Sequence, residues 1–138
     1  NEFGEEGALK YLVLTGSGVF SNSATTNSKM TAILFIDKTG DFSFKLVEYN
    51  SSVVKSDDFY TYRIKDSEGE IHEMVLFNGE ESGQMSSWLP ADKETMKKIL
   101  DKGGVITVSV RERDAYSTPD TYLFKLNVTG YHKAISFL

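Results

Sequence analysis

The sequence predicts a mainly β protein: a single antiparallel β-sandwich of about seven strands, with one helix near residues 91–102 and a short C-terminal helical turn. Three observations carry that expectation. Apolar and polar residues alternate at period two through most segments, and turn residues recur at short intervals. The stretch after Pro90 shows the i, i+3, i+4 spacing of an amphipathic helix, and the C-terminal tail a shorter version of it. At 138 residues the chain has the size of one domain, long enough to bury a real core. No internal repeat suggests a solenoid or propeller.

Residues 1–7 read as a flexible polar segment preceding a domain of residues 8–138. The first strand starts at Ala8 and runs past Gly16 and Gly18 to Phe20, with the glycines marking a bulge or bend. Ser21 to Ser28, a run of short and mostly polar residues, form an exposed loop. Met30 to Ile36 and Asp41 to Tyr49 make a hairpin across Asp37-Lys38-Thr39-Gly40, with Phe42, Phe44 and Leu46 alternating. A second hairpin pairs Phe59 to Lys65 with Ile71 to Phe77 across Asp66-Ser67-Glu68-Gly69. Ile71, Val75 and Phe77 are in phase there, which sends His72 to the opposite, wet face. After a loop from Asn78 to Pro90, a helix from Ala91 to Lys102 buries Met96, Ile99 and Leu100, with Asp92 as its cap and Gly103 at its end. Val105 to Arg113 and Thr121 to Thr129 then pair, and Tyr122, Phe124, Leu126 and Val128 form an inward face. The tail, Tyr131 to Leu138, places Tyr131, Ala134, Ile135 and Leu138 on one side of a short helix that closes the core.

Composition removes several functions. The net charge of −5 repels phosphate backbones, so nucleic acid is not an expected partner. Without cysteine there is no disulfide, thiolate nucleophile or sulfur-ligated metal. No apolar run reaches the ~20 residues of a transmembrane helix. The two histidines, His72 and His132, lie on different elements and form no ligand pair, and Ser86 and Ser87 lack a nucleophile elbow. Gly16-Ser17-Gly18 lacks the rest of a dinucleotide fingerprint, and Asp66 to Glu70 is a hairpin turn rather than a calcium loop. No catalytic residue, metal site or cofactor is therefore predicted. Asp57, Asp58, Glu73, Glu112, Asp114 and Asp120 are available to a glycosidase-type carboxylate pair, with no pair favoured.

Aromatic residues are the remaining resource. Trp88, Tyr60, Tyr62 and Tyr116 are the ligand-binding candidates, because tyrosine and tryptophan join an apolar body to a polar tip. Trp88 reads either as a core plug beside the helix start or as an exposed platform, and the first fits the usual burial of tryptophan.

The helix, Gly103-Gly104, the two following strands and Leu126-Asn127-Val128-Thr129-Gly130 with Tyr131 and Ala134 carry a family likeness. Over about its last fifty residues the chain resembles small exported bacterial β-sandwich proteins, including the invasion-associated locus B family and uncharacterised lipoproteins. It departs from them in lacking the cysteines that members often carry. The resemblance implies a secreted, periplasmic or outer-surface location, a signal or lipid-anchoring segment once present upstream of Asn1, and no catalytic residues. The expectation is a non-enzymatic exported binding or assembly module of the bacterial cell envelope, meeting a protein or glycan partner through the loops Ser82 to Leu89 and Tyr116 to Pro119. The alternatives are a small carbohydrate-active protein, glycan-binding or glycoside-cleaving, and a strand-exchanging structural subunit.

Overall fold

A computed structural model of the chain describes residues 11–49, 51–56, 58–79, 81–113 and 118–138. The expected flexible segment 1–7 and the start of the first strand lie outside the described residues. The described residues form nine strands and two helices. β1 (Tyr11–Ser21), β2 (Ser28–Asp37), β3 (Phe42–Glu48) and β4 (Ser52–Val53) are followed by β5 (Asp58–Lys65), β6 (Ile71–Asn78) and β7 (Gln84–Ser86). Then come α1 (Pro90–Asp101), β8 (Val105–Glu112), β9 (Thr121–Asn127) and α2 (Tyr131–Ile135).

The strands do not form a sandwich. They neighbour one another in the order β2-β1-β9-β8-β5-β6-β7-β3, and β3 pairs back onto β2, so eight antiparallel strands close into a barrel. β4 is a two-residue addition to β3. A sandwich keeps two sheets with free edges, whereas ring closure removes the edges. The seam that decides the matter joins the first strand to the last: Gly18 to Ser21 pair with Phe124 to Thr121.

Gly16 and Gly18 make that seam possible, though by a route other than a bulge. β1 pairs with β2 without interruption from Tyr11↔Asp37 to Phe20↔Ser28, so no residue is inserted. Both glycines lie on the inward phase of β1, directly against the backbone of β9. A Cβ on Gly16 would come within 2.0 Å of the Lys125 carbonyl oxygen, and one on Gly18 within 2.0 Å of that of Leu123.

Strand alternation fills the interior. Phe20, Met30, Leu34, Phe44, Leu46, Tyr62, Leu76, Val108, Phe124 and Leu126 are all buried within one continuous core. The predicted inward phase of β9 is the observed one. In β6 the phase is the reverse of the expectation: Met74, Leu76 and Asn78 point in, while Ile71, Val75 and Phe77 face out. His72 accordingly lies on the inward phase, largely covered.

The helices close one end. α1 buries Met96, Ile99 and Leu100, and its last turn leads to Gly103, whose positive φ of 70° ends the helix as predicted. Asp92 is not the cap. Leu89 occupies that position, and Asp92 sits in the first turn, taking a hydrogen bond from the Ser87 hydroxyl. Two hairpin turns with the same build meet α1 at this end. In Asp37 to Asp41 the Asp37 Oδ1 accepts from the Thr39 and Asp41 N–H groups; in Asp66 to Glu70 the Asp66 Oδ1 accepts from those of Glu68 and Glu70. Lysines of the helix region grip both: Lys93 Nζ is 3.1 Å from Asp41, and Lys102 Nζ is 2.7 Å from Asp66. α1 thus covers a barrel end rather than a sheet edge. In α2, Tyr131 is buried and Ile135 packs against the core. Among the described residues, no helix is long and apolar enough to cross a membrane.

Candidate functional site

The phase of β5 to β7 that fills the barrel with Tyr60, Tyr62, Leu76 and Met85 pushes their remaining aromatic residues onto the outer wall. Phe59 and Phe77 are register partners there, 5.0 Å apart between ring centroids. Phe77 pairs in turn with Ser86, and two residues further on the chain lays Trp88 across both rings. The indole meets Phe59 edge-on at 5.7 Å and Phe77 at 5.3 Å with a 38° tilt. Its side remote from the wall is open: Trp88 is 71% exposed and Leu89 beside it 62%. An isolated exposed apolar residue is ordinary, but the largest aromatic side chain standing on two others is a contiguous apolar patch.

The backbone under Trp88 is held on both sides. The Ser87 Oγ accepts from the Leu89 N–H at 3.0 Å and donates to the Asp92 carboxylate, while Pro90 fixes the first helical position. Grooves flank the indole. One, of about 360 Å³, lies between Trp88 and the α1 start and is lined by Phe42, Ser86, Pro90, Asp41 and Lys93. The other, of about 160 Å³, is almost wholly apolar, with Phe59, Val75, Phe77 and Leu89 as its walls.

A second cluster occupies the inward phase at the end opposite the helices. Glu48 follows Phe44 and Leu46, Asp58 precedes Tyr60, Glu112 follows Val110, and Asp120 precedes Tyr122. Four carboxyl groups and two phenols therefore meet at the mouth. The Tyr122 hydroxyl donates to Glu48 at 2.8 Å, Tyr60 and Ser56 share a hydrogen bond of 2.9 Å, and the Asp120 N–H donates to Glu112 at 3.3 Å. Burial pushes the Glu112 carboxyl above its usual range, and the neighbouring Asp120 and Asp58 add to the effect. Burial also raises Asp120, as it does the Tyr60 and Tyr122 phenols.

At the capped end, Asp66, Glu70 and His72 could converge on an ion. That place is taken by a side-chain cation. The Lys102 ammonium lies 2.7 Å from Asp66, 3.2 Å from Glu70 and 3.3 Å from Glu68, and His72 reaches the same Asp66 oxygen at 2.9 Å. Burial alone would raise the fully enclosed Asp66 carboxyl; the bonds from Lys102, His72 and two backbone N–H groups outweigh it and hold the group far below the usual carboxylate range. This arrangement is a structural lock.

Of the predicted ligand-binding residues, only Trp88 is placed on a surface. Tyr60 and Tyr62 share a face as expected, but that face is the barrel interior, and the Tyr62 hydroxyl donates to the Met85 sulfur at 2.9 Å. Tyr116 lies outside the described residues, as do Asp57 and Asp114. Glu73 stands on the outer wall within 3.9 Å of Arg63, away from the other acids. His132 is exposed beside Asp101. The residues missed were Phe77 and Glu48, and each had a signal: Phe77 shares the outward phase of Phe59 across the hairpin, and Glu48 continues the inward phase of Phe44 and Leu46. No protein-family model matches the chain, and no curated protein or solved structure is significantly similar to it.

Proposed function

We propose that this protein is a non-catalytic binding module whose contact surface is the outer barrel wall around Trp88. The observation that carries this reading is an indole 71% exposed, supported by Phe59 and Phe77 and fixed at its root by Ser87 and Pro90. A rigid aromatic presented in this way loses little conformational freedom on binding. An exported, cell-envelope setting belongs to the same proposal and rests on the family resemblance alone.

Two features weigh against the alternatives. A glycoside-cleaving pair stands about 5–10 Å apart around its substrate. At the mouth, Glu48 and Glu112 are instead engaged by the barrel itself, accepting from the Tyr122 hydroxyl and the Asp120 N–H. Strand exchange calls for a strand open along one whole flank, and ring closure gives each of the eight barrel strands a neighbour on both sides.

Thermal unfolding of wild type and Trp88→Ala against a panel of soluble glycans, peptides and acyl lipids tests the proposal. Compounds that raise the wild-type Tm are expected to leave Trp88→Ala unshifted, while the two proteins unfold at nearly the same temperature without ligand. Equal stabilisation of both proteins by every active compound would place the contact surface elsewhere.

A further inference from the structure

We infer that the wall around Trp88 takes a neutral glycan, with one hexose ring stacked on the indole and its hydroxyl groups bonded by Asp41 and Lys93; this rests on the reading of that wall as the contact surface. A pyranose ring has two chemically different parts. Its face carries C–H groups with slight positive charge, which suit the electron-rich face of an aromatic ring. Its rim carries hydroxyls, each a donor and an acceptor at once.

The surface offers a partner for each part. Trp88 supplies an open aromatic face. In the groove beside it, the Asp41 carboxylate only accepts and the Lys93 ammonium only donates, and they stand 3.1 Å apart. Adjacent hydroxyls on one sugar can bond such a pair, one to each. The pair is neutral as a unit, so the groove offers no net charge to an ionic ligand. The apolar slot on the other side of the indole, bounded by Phe59, Val75, Phe77 and Leu89, accommodates a small apolar substituent such as the methyl of an acetamido group. An N-acetylated hexose therefore fits better than an unsubstituted one.

An extended peptide fits less well. It carries backbone N–H and C=O groups that need partners along its whole length. Directly under the indole, Phe77 pairs with Phe59 on one side and with Ser86 on the other, so the backbone at that place is already satisfied and offers the peptide no partner.

Trp88 is the only tryptophan in the chain, so intrinsic emission reports this surface without a label. The experiment titrates the protein with chitotriose, cellotriose and a set of extended peptides, reading Trp88 emission, and repeats each titration calorimetrically on Trp88→Ala and Asp41→Ala. Saturable change with chitotriose, binding at least about tenfold weaker for cellotriose and for Asp41→Ala, and no heat with Trp88→Ala are the expected results. Silence with both saccharides at millimolar concentration overturns the glycan assignment. If a peptide titrates Trp88 in that case and Trp88→Ala abolishes its binding, the wall remains the contact surface. Chitotriose binding equally well to Trp88→Ala overturns the assignment and the wall reading together.

Discussion

Replacing Gly16 or Gly18 by alanine tests how the barrel closes. The added Cβ would stand 2.0 Å from a carbonyl oxygen of β9 in either variant, whereas ordinary van der Waals contact begins at 3.4 Å. The strands must therefore part by about 1.4 Å, the difference between those distances, because the obstacle is backbone and not the end of a flexible side chain. Parting by that much takes a backbone hydrogen bond beyond bonding range. Four register pairs hold the seam, and at about 1 kcal/mol per bond their loss approaches ~4 kcal/mol. Alanine returns about 0.4–1 kcal/mol by restricting the unfolded chain. The net expectation is a loss of about 3–3.6 kcal/mol, or roughly 9–18 °C in Tm for a domain of this size. Gly79→Ala is the control. Its Cβ would meet only the Ser82 hydroxyl, at 4.0 Å, and the same unfolded-state effect should leave it neutral or slightly stabilised. Thermal and urea unfolding of the three variants decides the matter: Gly16→Ala and Gly18→Ala proteins as stable as wild type would mean that β1 and β9 do not close the ring as described.

The two ends of the barrel respond to pH with opposite sign. Asp66→Asn keeps the acceptor used by the turn but presents an amide to Lys102 and His72, and should cost about 2–3 kcal/mol at pH 7 in urea unfolding. Because the folded Asp66 carboxyl lies far below its ordinary value, the wild-type advantage is full above pH 3.8 and shrinks as pH falls through the depressed value. At the mouth, the Glu112 carboxyl is raised above 4.5, so its ionisation costs stability as pH climbs from there through the folded value. Glu112→Gln is expected to be more stable than wild type at pH 7 and to lose that margin on acidification, which a pH series of melting curves reads directly. Met96→Ala, emptying a fully buried position under α1, should cost about 2–5 kcal/mol by chemical denaturation.

What could be read from the residues follows from how local each signal is. β9 was legible because its apolar residues occupy one face, Tyr122, Phe124 and Leu126, with Leu123 the exception. β6 was misread because Val75, Leu76 and Phe77 are apolar in succession, so alternation does not say which side is inside. The turns at Asp37 and Asp66 announce themselves through aspartate and glycine at fixed spacing. The choice between sandwich and barrel hangs on contacts between chain segments far apart, and Gly16 and Gly18 mark only that some backbone approaches closely, not which one. Trp88 was recognisable as a residue of interest, but its exposure depends on β7, a three-residue strand hidden within an apparent loop. Asp58, Glu112 and Asp120 stood among the candidate acids, and only the inward phase of three separate strands gathers them at one mouth.

The pairing of β1 with β9 also has a kinetic consequence. Its partners are about 100 residues apart in the chain, so loop-closure entropy must be met before this contact yields any stabilisation. During synthesis β1 emerges with one flank supplied early, by β2, and the other left waiting until β9 has been translated. Hairpins formed by neighbouring strands can assemble meanwhile, but the ring stays open and exposes an unpaired flank to other nascent chains. Refolding is therefore expected to be slow for a protein of this length and to yield more native product at low concentration, where the last strand reaches the first before a second molecule does.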